Sequence, residues 1–543
     1  MSKRIYLTED FKELIENNCI YVDKTTFIKE VISKDIVQYT RPRRFGKTLN
    51  MHMLYYFFSN QEESYNLFKD LNIAKDEEAM KHLNQYPVIF LSLKVLTRKN
   101  FSLQMSDFSK TIIYNLYDKH RYLLNSDNLE KEEKKLFDRY LENNADESEL
   151  ASALYNLSRM MYKHFKKKSI ILVDEYDVPL KHAQQYGYYD DMLDFIRSLF
   201  SGTFKTNEYL YKGVMTGCLR IARESVFTGL NNFRNDSILT NNPEVYFGFT
   251  EDEVKDILAE YNMQDKFSHI KDWYDGYLFG NKEVYNPWSM LNYIDEARKD
   301  LVSEPVSYWV NTSGNEIIYD FLKRSDSELK DNFTKLVNGE AIKADIYPEM
   351  TYRELEDDEM VYSYLLTTGY LKALGKNEDG TYNLVIPNKE VRTVYEKYFS
   401  KYTKGLKKKY SLKICRSLFE GDGEKAEELI NDYLFESVSS MDYSEAFYHG
   451  TLNSMFDGFA SLSNREFGYG RPDIVVLDNS VTVLIEIKKT KDLLLLSKAA
   501  DEAIEQIKEK KYIEGLNSYG YKNIRAYGVS FCKKRCCVKM LNQ

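Results

Sequence analysis

A chain of 543 residues, 43% hydrophobic and 29% charged, is long enough for about three domains with buried cores, and its composition excludes wholesale disorder. A net charge of -9 and a pI near 5.6 exclude a constitutive nucleic-acid coat protein, which would be basic overall, while leaving room for local basic grooves on an enzyme. Six scattered cysteines form no disulfide framework, residues 1–6 lack the apolar core of a signal peptide, and the leucine run 493–496 is far too short for a bilayer, so the expected setting is cytoplasmic, with no membrane partner.

The first half alternates short apolar runs with helix-length amphipathic stretches. The runs cover residues 36–39, 88–93, 170–173 and 211–216. Continuous apolar runs bounded by polar residues predict buried parallel strands, and their alternation with helices predicts a doubly wound α/β domain. After about residue 250 the pattern turns helical, and Thr250 with Glu253 forms a capping box ahead of Val254, Ile257 and Leu258. Residues 362–374 read as a helix, a break at Gly369 and a short strand; residues 375–381 read as a turn and 382–386 as a strand, which suits a winged-helix-like module. The basic stretch 401–409 reads as a solvated linker at a domain boundary. Beyond it the order is helix, strand, turn, strand, helix, strand, with Cys532 on the last strand and Cys536 and Cys537 on an exposed tail. Their spacing suits no zinc site.

Residues 36–40 lead as a strand into Arg41-Pro42-Arg43-Arg44-Phe45-Gly46-Lys47-Thr48, and a helix follows. Strand, Gly-Lys-Thr loop and helix form the context of a phosphate-binding loop. There backbone amides at Gly46 and the helix start cradle phosphate oxygens, Lys47 reaches the β- and γ-phosphates, and Thr48 offers a hydroxyl to Mg²⁺. Arg41 stands where the first glycine of that loop belongs. Residues 170–175 supply the complementary element, an apolar strand ending in Asp174, which can hold Mg²⁺, and Glu175, which can polarise the attacking water. Thr216, at the end of a later strand, is placed to sense the γ-phosphate. Arg220 and Arg223 follow it, as transition-state cations or as partners of exposed carboxylates.

With the block Tyr21-Val22-Asp23-Lys24-Thr25 and the block Tyr285-Asn286-Pro287-Trp288-Ser289, these elements resemble the AAA-ATPase-like family over roughly the first 290 residues. The resemblance implies an arginine-rich start to the loop in place of the glycine, ATP and Mg²⁺ as cofactors, and an ATP site that arginines of a neighbouring copy could complete in a homo-oligomer.

Toward the C-terminus, Asp473-Ile474-Val475-Val476-Leu477-Asp478 and Val481-Thr482-Val483-Leu484-Ile485-Glu486-Ile487-Lys488 form a hairpin pattern around Asn479-Ser480. Side chains alternate faces along a strand, so Glu486 and Lys488 share one. With Asp478 opposite Val481, Asp473 falls opposite Glu486 and on that same face; a slip of one residue would turn it away. Two converging carboxylates can hold Mg²⁺, which activates water against a phosphodiester, and a lysine can position that water or steady the anionic transition state. The pattern resembles the PD-(D/E)XK nuclease superfamily over residues 415–535. The resemblance assigns Asp473 and Glu486 as metal ligands, Lys488 as the catalytic lysine and Gln506 as an accompanying glutamine, followed by Tyr512. Glu445 is a candidate carboxylate on an upstream helix, and His449, one turn on, is structural.

The expected organisation is therefore an AAA-ATPase-like P-loop domain over residues 1–290, a helical or winged-helix-like lid or linker over 291–405, and a nuclease-like domain of restriction-endonuclease-like α/β fold over 406–543. The expected function is an ATP-binding, ATP-hydrolysing protein coupled to a Mg²⁺-dependent nuclease acting on nucleic acid, DNA first. The alternative is a nucleotide-dependent switch or remodelling ATPase whose nuclease fold grips without cutting.

Overall fold

Four of the five strands of the N-terminal sheet are the apolar runs of the sequence, and burial on both faces explains their lack of alternation. The computed structural model describes residues 3–220, 233–242, 244–299, 304–309, 317–324, 327–437, 444–462, 465–478 and 481–542. It divides into two compact units, residues 1–313 with 341–393, and residues 314–340 with 394–543. Residues 291–405, expected as a lid or linker domain, are shared between these units.

In the first unit, β1 (Ile36–Thr40), β2 (Val88–Ser92), β3 (Ser169–Asp174), β4 (Leu210–Gly217) and β5 (Phe233–Asp236) lie in the order β2-β3-β4-β1-β5 with every pairing parallel. The carboxyl ends of β1, β3 and β4 finish along one edge, with Thr40 opposite Gly217 and Val173 opposite Met215. In open sheets with helices on both faces, that edge is where ligands bind. The edge strand β5 is Phe-Arg-Asn-Asp, too polar to stand out as a strand.

The same unit continues with the helix Glu251–Glu260, whose Thr250–Glu253 capping box forms as expected, and the hairpin of β6 (Tyr277–Phe279) and β7 (Lys282–Val284). The helix Pro287–Ala297 follows. A small antiparallel sheet orders β8 (Ile342–Ala344), β10 (Tyr382–Val385) and β9 (Lys372–Lys376) beside the helix Asp358–Thr367. Gly369, which ends that helix region, has φ of 90°, and a Cβ there would sit 3.0 Å from Pro42 Cβ. The glycine lets this small module lie directly against the start of the phosphate-loop segment.

The second unit holds a mixed sheet, β11 (Ala460–Ser461), β12 (Ile474–Asp478), β13 (Val481–Lys489), β14 (Ile524–Cys532) and β15 (Arg535–Met540), in chain order, with β13 and β14 parallel and the other pairs antiparallel. The helix Leu496–Glu509 makes the crossover between the parallel pair and buries Ala499, Ala500, Ala503, Ile504 and Ile507. Two sequence expectations are corrected here. The C-terminal tail is strand β15, paired with β14, and Cys536 is buried in it. Residues 401–409 are no linker: they lie inside the 32-residue helix Lys389–Glu420, because Tyr402, Leu406 and Tyr410 recur every fourth position and are buried, leaving the lysines between them in solvent. Among the described residues, no helix is long and apolar enough to cross a membrane.

Two candidate active sites

The N-terminal site begins where β1 ends. Arg41 continues the strand's line and accepts no ligand role: it is 4% exposed, and its guanidinium donates to Asp236 Oδ1 (2.5 Å), to the Asp236 carbonyl and to the Thr40 carbonyl (2.9 Å each). It also lies 5.1 and 5.3 Å from the ring centres of Phe247 and Phe279. The residue in the glycine's place thus tethers the loop to β5 by a buried ion pair. The sharp turning is done further on, at Arg44 (φ 70°) and Gly46 (φ 81°), the latter capping the helix Lys47–Phe58.

Asp174 is the fixed point of this site. It ends β3, is completely buried, and accepts from Thr48 Oγ1 (2.8 Å) on Oδ2 and from Thr216 Oγ1 on Oδ1. Burial pushes its carboxyl above the ordinary range, and the two hydroxyls oppose that. The structure therefore brings Thr48, Asp174 and Thr216 together, with Thr216 behind the carboxylate and not on the cleft wall. Lys47 Nζ donates to the carbonyls of Arg41 (3.0 Å) and Pro42 (2.8 Å), so the ammonium is held over its own loop by oxygen acceptors of the kind a phosphate would offer. Glu175 follows Asp174 in the left-handed region (φ 52°), a conformation costing a non-glycine residue about 1 kcal/mol or more, and this turns its carboxylate to the cleft. Burial raises its carboxyl as well, against the pull of Lys47. Asp177, two residues on, receives the Cys218 and Leu219 amides (3.1 Å each) and the Tyr352 hydroxyl (2.9 Å), which pins the β3 and β4 ends to the small module.

Part of this constellation opens onto a cleft of about 620 Å³, within the usual range for small-molecule sites; Asp174, like Thr216, lies behind its wall. Gly46, Lys47, Thr48 and Glu175 line one part; Tyr21 and Trp288 line another. The Arg44 guanidinium lies 4.0 Å above the Trp288 ring. Lys24, from the Tyr-Val-Asp-Lys-Thr block, bridges to Glu253 at 2.6 Å and so fastens that block to the helix Glu251–Glu260. Arg220 is not aimed at the cleft: it pairs with Glu349 at 2.8 Å. Arg223 lies outside the described residues. Asp236, Asp177 and the Arg44–Trp288 stack were missed by sequence reasoning, since each depends on a partner more than 40 residues away.

In the C-terminal unit, Asp478 stands opposite Val481 and Ile474 opposite Ile485, while Asn479 and Ser480 lie outside the described residues. The register carries Asp473 onto the Glu486 segment, where its Oδ2 accepts the Ile487 amide at 2.7 Å. Glu486 is 3% exposed, and Gln506 Nε2 donates to its Oε1. Lys488 Nζ stands 4.0 Å from that same oxygen. Oε2 of Glu486 is buried with no hydrogen-bond partner. Burial and the neighbouring Asp473 push the Glu486 carboxyl up to about 7, against Lys488 and Gln506. Behind the pair, His449 Nε2 donates to the Asp473 carbonyl (2.9 Å), which fixes the tautomer and holds the start of β12. Glu445 is exposed at the first position of the helix Glu445–Met455, and no contact brings it to the carboxylates.

Two neighbouring carboxylates, one of them with a buried oxygen that has no hydrogen-bond partner, fit a hard divalent ion. No cluster of three His, Cys, Asp or Glu side chains occurs among the described residues. A metal held here would take its remaining ligands from water, main chain and substrate oxygens, the habit of Mg²⁺.

Residues 6–227 match the model of the AAA-ATPase-like family, described as predicted AAA-ATPase, and residues 443–540 match that of the PD-(D/E)XK nuclease superfamily. A protein of Azotobacter chroococcum mcd 1, described as an uncharacterized protein in the vnfD 5′ region, is 23% identical over 536 residues, covering 94% of this chain and 93% of that protein.

Proposed function

We propose that this chain, an AAA-ATPase-like domain followed by a PD-(D/E)XK nuclease superfamily domain, binds and hydrolyses ATP with Mg²⁺ at the first site and cleaves nucleic-acid phosphodiesters in a Mg²⁺-dependent reaction at the second. The observation that carries the nuclease reading is the grouping of three side chains: Asp473 held on the Glu486 segment by the Ile487 amide, a buried Glu486 oxygen without a donor, and the Lys488 ammonium 4.0 Å from the other Glu486 oxygen.

A divalent ion held by Asp473 and Glu486 would supply a Lewis acid and a water of lowered pKa. Lys488 stands where it can orient that water and offset charge building on the phosphate. Gln506 holds Glu486 in one rotamer, and the Ile487 amide does the same for Asp473. At the other site, Lys47 would exchange the Arg41 and Pro42 carbonyls for phosphate oxygens, Thr48 and Asp174 would hold Mg²⁺, and Glu175 would take the proton of the attacking water. Thr216 keeps Asp174 aligned. Six free cysteines and the lack of a membrane-length helix among the described residues support a cytoplasmic setting.

The test is cleavage of labelled DNA and RNA of several shapes with Mg²⁺ or Mn²⁺, with and without ATP. Cleavage is expected from the wild-type chain and not from Asp473→Ala, Glu486→Ala or Lys488→Ala. Cleavage that survives all three substitutions, or a wild type that cuts nothing while turning over ATP, would leave the nucleotide-dependent binding switch as the reading.

A further inference from the structure

The loop that leads into β12 displays a side chain that packing does not explain. Tyr469 is 70% exposed, yet the backbone beneath it is pinned. Its amide donates to the Lys510 carbonyl (2.7 Å), the Phe467 amide to the Gly470 carbonyl (2.9 Å), and the Tyr512 hydroxyl to the Arg471 carbonyl (3.3 Å). Gly468 has φ of 60°, and a Cβ there would meet the Lys510 carbonyl oxygen at 2.2 Å, so the loop lies flush on the turn between the helices Leu496–Glu509 and Tyr512–Ser518. Phe467, two residues earlier, is buried in the core beneath. A large ring held out in water by a rigid support is poised for a partner, not loosely placed.

The chemistry around the ring narrows that partner. Lys511 Nζ is 5.5 Å over the Tyr469 ring centre, Lys510 is exposed, and Arg471, exposed two residues on, meets Glu466 at 3.0 Å. The same turn supports the carboxylates: Gln506, one helical turn before Lys510, donates to Glu486, and the Tyr512 hydroxyl lies within the fields of Glu486 and Asp473. An exposed aromatic ring with the Lys511 ammonium over one face and Lys510 in the turn beneath it, sharing one scaffold with a phosphodiester site, matches a nucleobase and its adjoining phosphates. In an intact duplex both faces of every base are covered by neighbours, so such a face can serve only an unpaired base.

We propose that Tyr469 is a stacking platform for an unpaired nucleobase beside the scissile phosphate, with Lys510 and Lys511 against the adjoining backbone, so that the C-terminal site takes single-stranded nucleic acid or the single-stranded arm of a junction. The proposal rests on the reading of this site as one that handles nucleic acid.

It is tested by fluorescence anisotropy of the full chain with a labelled single strand and a blunt duplex of the same sequence, Ca²⁺ replacing Mg²⁺ to hold the bound state. Wild type should favour the single strand. Tyr469→Ala should weaken single-strand binding by about 5- to 150-fold, the span of one base–aromatic stack, with a much smaller loss on the duplex. Tyr469→Phe should restore binding, because the ring and not the hydroxyl carries the contact. Equal losses on both nucleic acids, no loss in Tyr469→Ala, a Phe variant as weak as the Ala variant, or a wild type that binds neither nucleic acid would overturn the proposal. Cleavage that still depends on Asp473 and Glu486 while Tyr469→Ala discriminates normally would sink this inference alone. Intact single-strand preference in a chain that cleaves nothing would sink the nuclease reading alone.

Discussion

Arg41→Gly would restore the glycine usual at the start of a phosphate-binding loop, and the structure makes it a damaging change. The Arg41 and Asp236 side chains are 5% and 4% exposed, and removing one partner leaves the other charge buried. Breaking a buried pair in this way costs about 3–5 kcal/mol. Asp236 keeps two poorer partners, Asn242 Nδ2 at 3.3 Å and Lys34 Nζ at 4.0 Å, so the lower end applies, about 3 kcal/mol. At ~1–2 °C per kcal/mol for a unit of this size, the melting temperature of the unit should fall by about 4 °C. Because the pair is buried, the loss should change little between low and moderate salt. The assay is a double-mutant cycle by thermal unfolding: Arg41→Met, Asp236→Leu and the two together. The double variant should recover most of what each single variant loses. An Arg41→Gly protein as stable as wild type, or a cycle in which the two single losses add, would refute the tether.

Further outcomes follow from the same geometry. Lys47→Ala removes the charge-assisted hydrogen bonds to phosphate and should weaken ATP binding by about 10- to 100-fold, read by displacement of a fluorescent analogue; unchanged affinity would contradict the placement of the nucleotide. Glu175→Gln should leave ATP affinity near wild type and slow hydrolysis by about 10²–10⁴, measured as phosphate release; unaltered turnover would exclude Glu175 as the base. Glu390 is fully buried, accepts the Tyr308 and Trp309 amides at 2.9 Å each, and its carboxyl is pushed up to about 7 by burial, against those two amides and Ser289. A carboxyl raised in the folded state favours folding most at pH below its ordinary 4.5, and that advantage is lost as pH climbs through about 7. Wild type should therefore lose up to about 3 kcal/mol relative to Glu390→Gln between pH 5 and pH 8, and parallel stability profiles of the two proteins would contradict this.

The parts of this fold that were readable in advance are those with an unbroken local pattern. Strands β1 to β4 are continuous apolar runs because both sheet faces are covered, and the Asp473–Glu486 register follows from the two-residue repeat counted outward from Asp478 and Val481. Two edge strands escaped because their sequences are too polar to stand out: β5 is Phe-Arg-Asn-Asp and β15 opens Arg-Cys-Cys, whereas the edge strand β2 is apolar and was legible. The helix through residues 401–409 was masked by its lysines, although Tyr402, Leu406 and Tyr410 carry its buried stripe. At the first site the order of Gly46-Lys47-Thr48 and Asp174-Glu175 was legible. The conversion of Arg41 from a missing glycine into a tether was not, because Asp236 lies 195 residues away and only the parallel β1–β5 pairing unites them. Thr216 was recognised as a polar strand end, yet its hydroxyl serves Asp174, a choice set by three-dimensional register.

Phosphodiester cleavage at the second site requires a divalent ion between Asp473 and Glu486. Mn²⁺ titration of the nucleotide-free full chain, followed by electron paramagnetic resonance of the free ion, counts that site directly. One tightly held Mn²⁺ per chain is predicted for wild type, lost in both Asp473→Ala and Glu486→Ala but retained in Thr48→Ala. A bound ion indifferent to both carboxylate substitutions, or no bound ion at all, would contradict it.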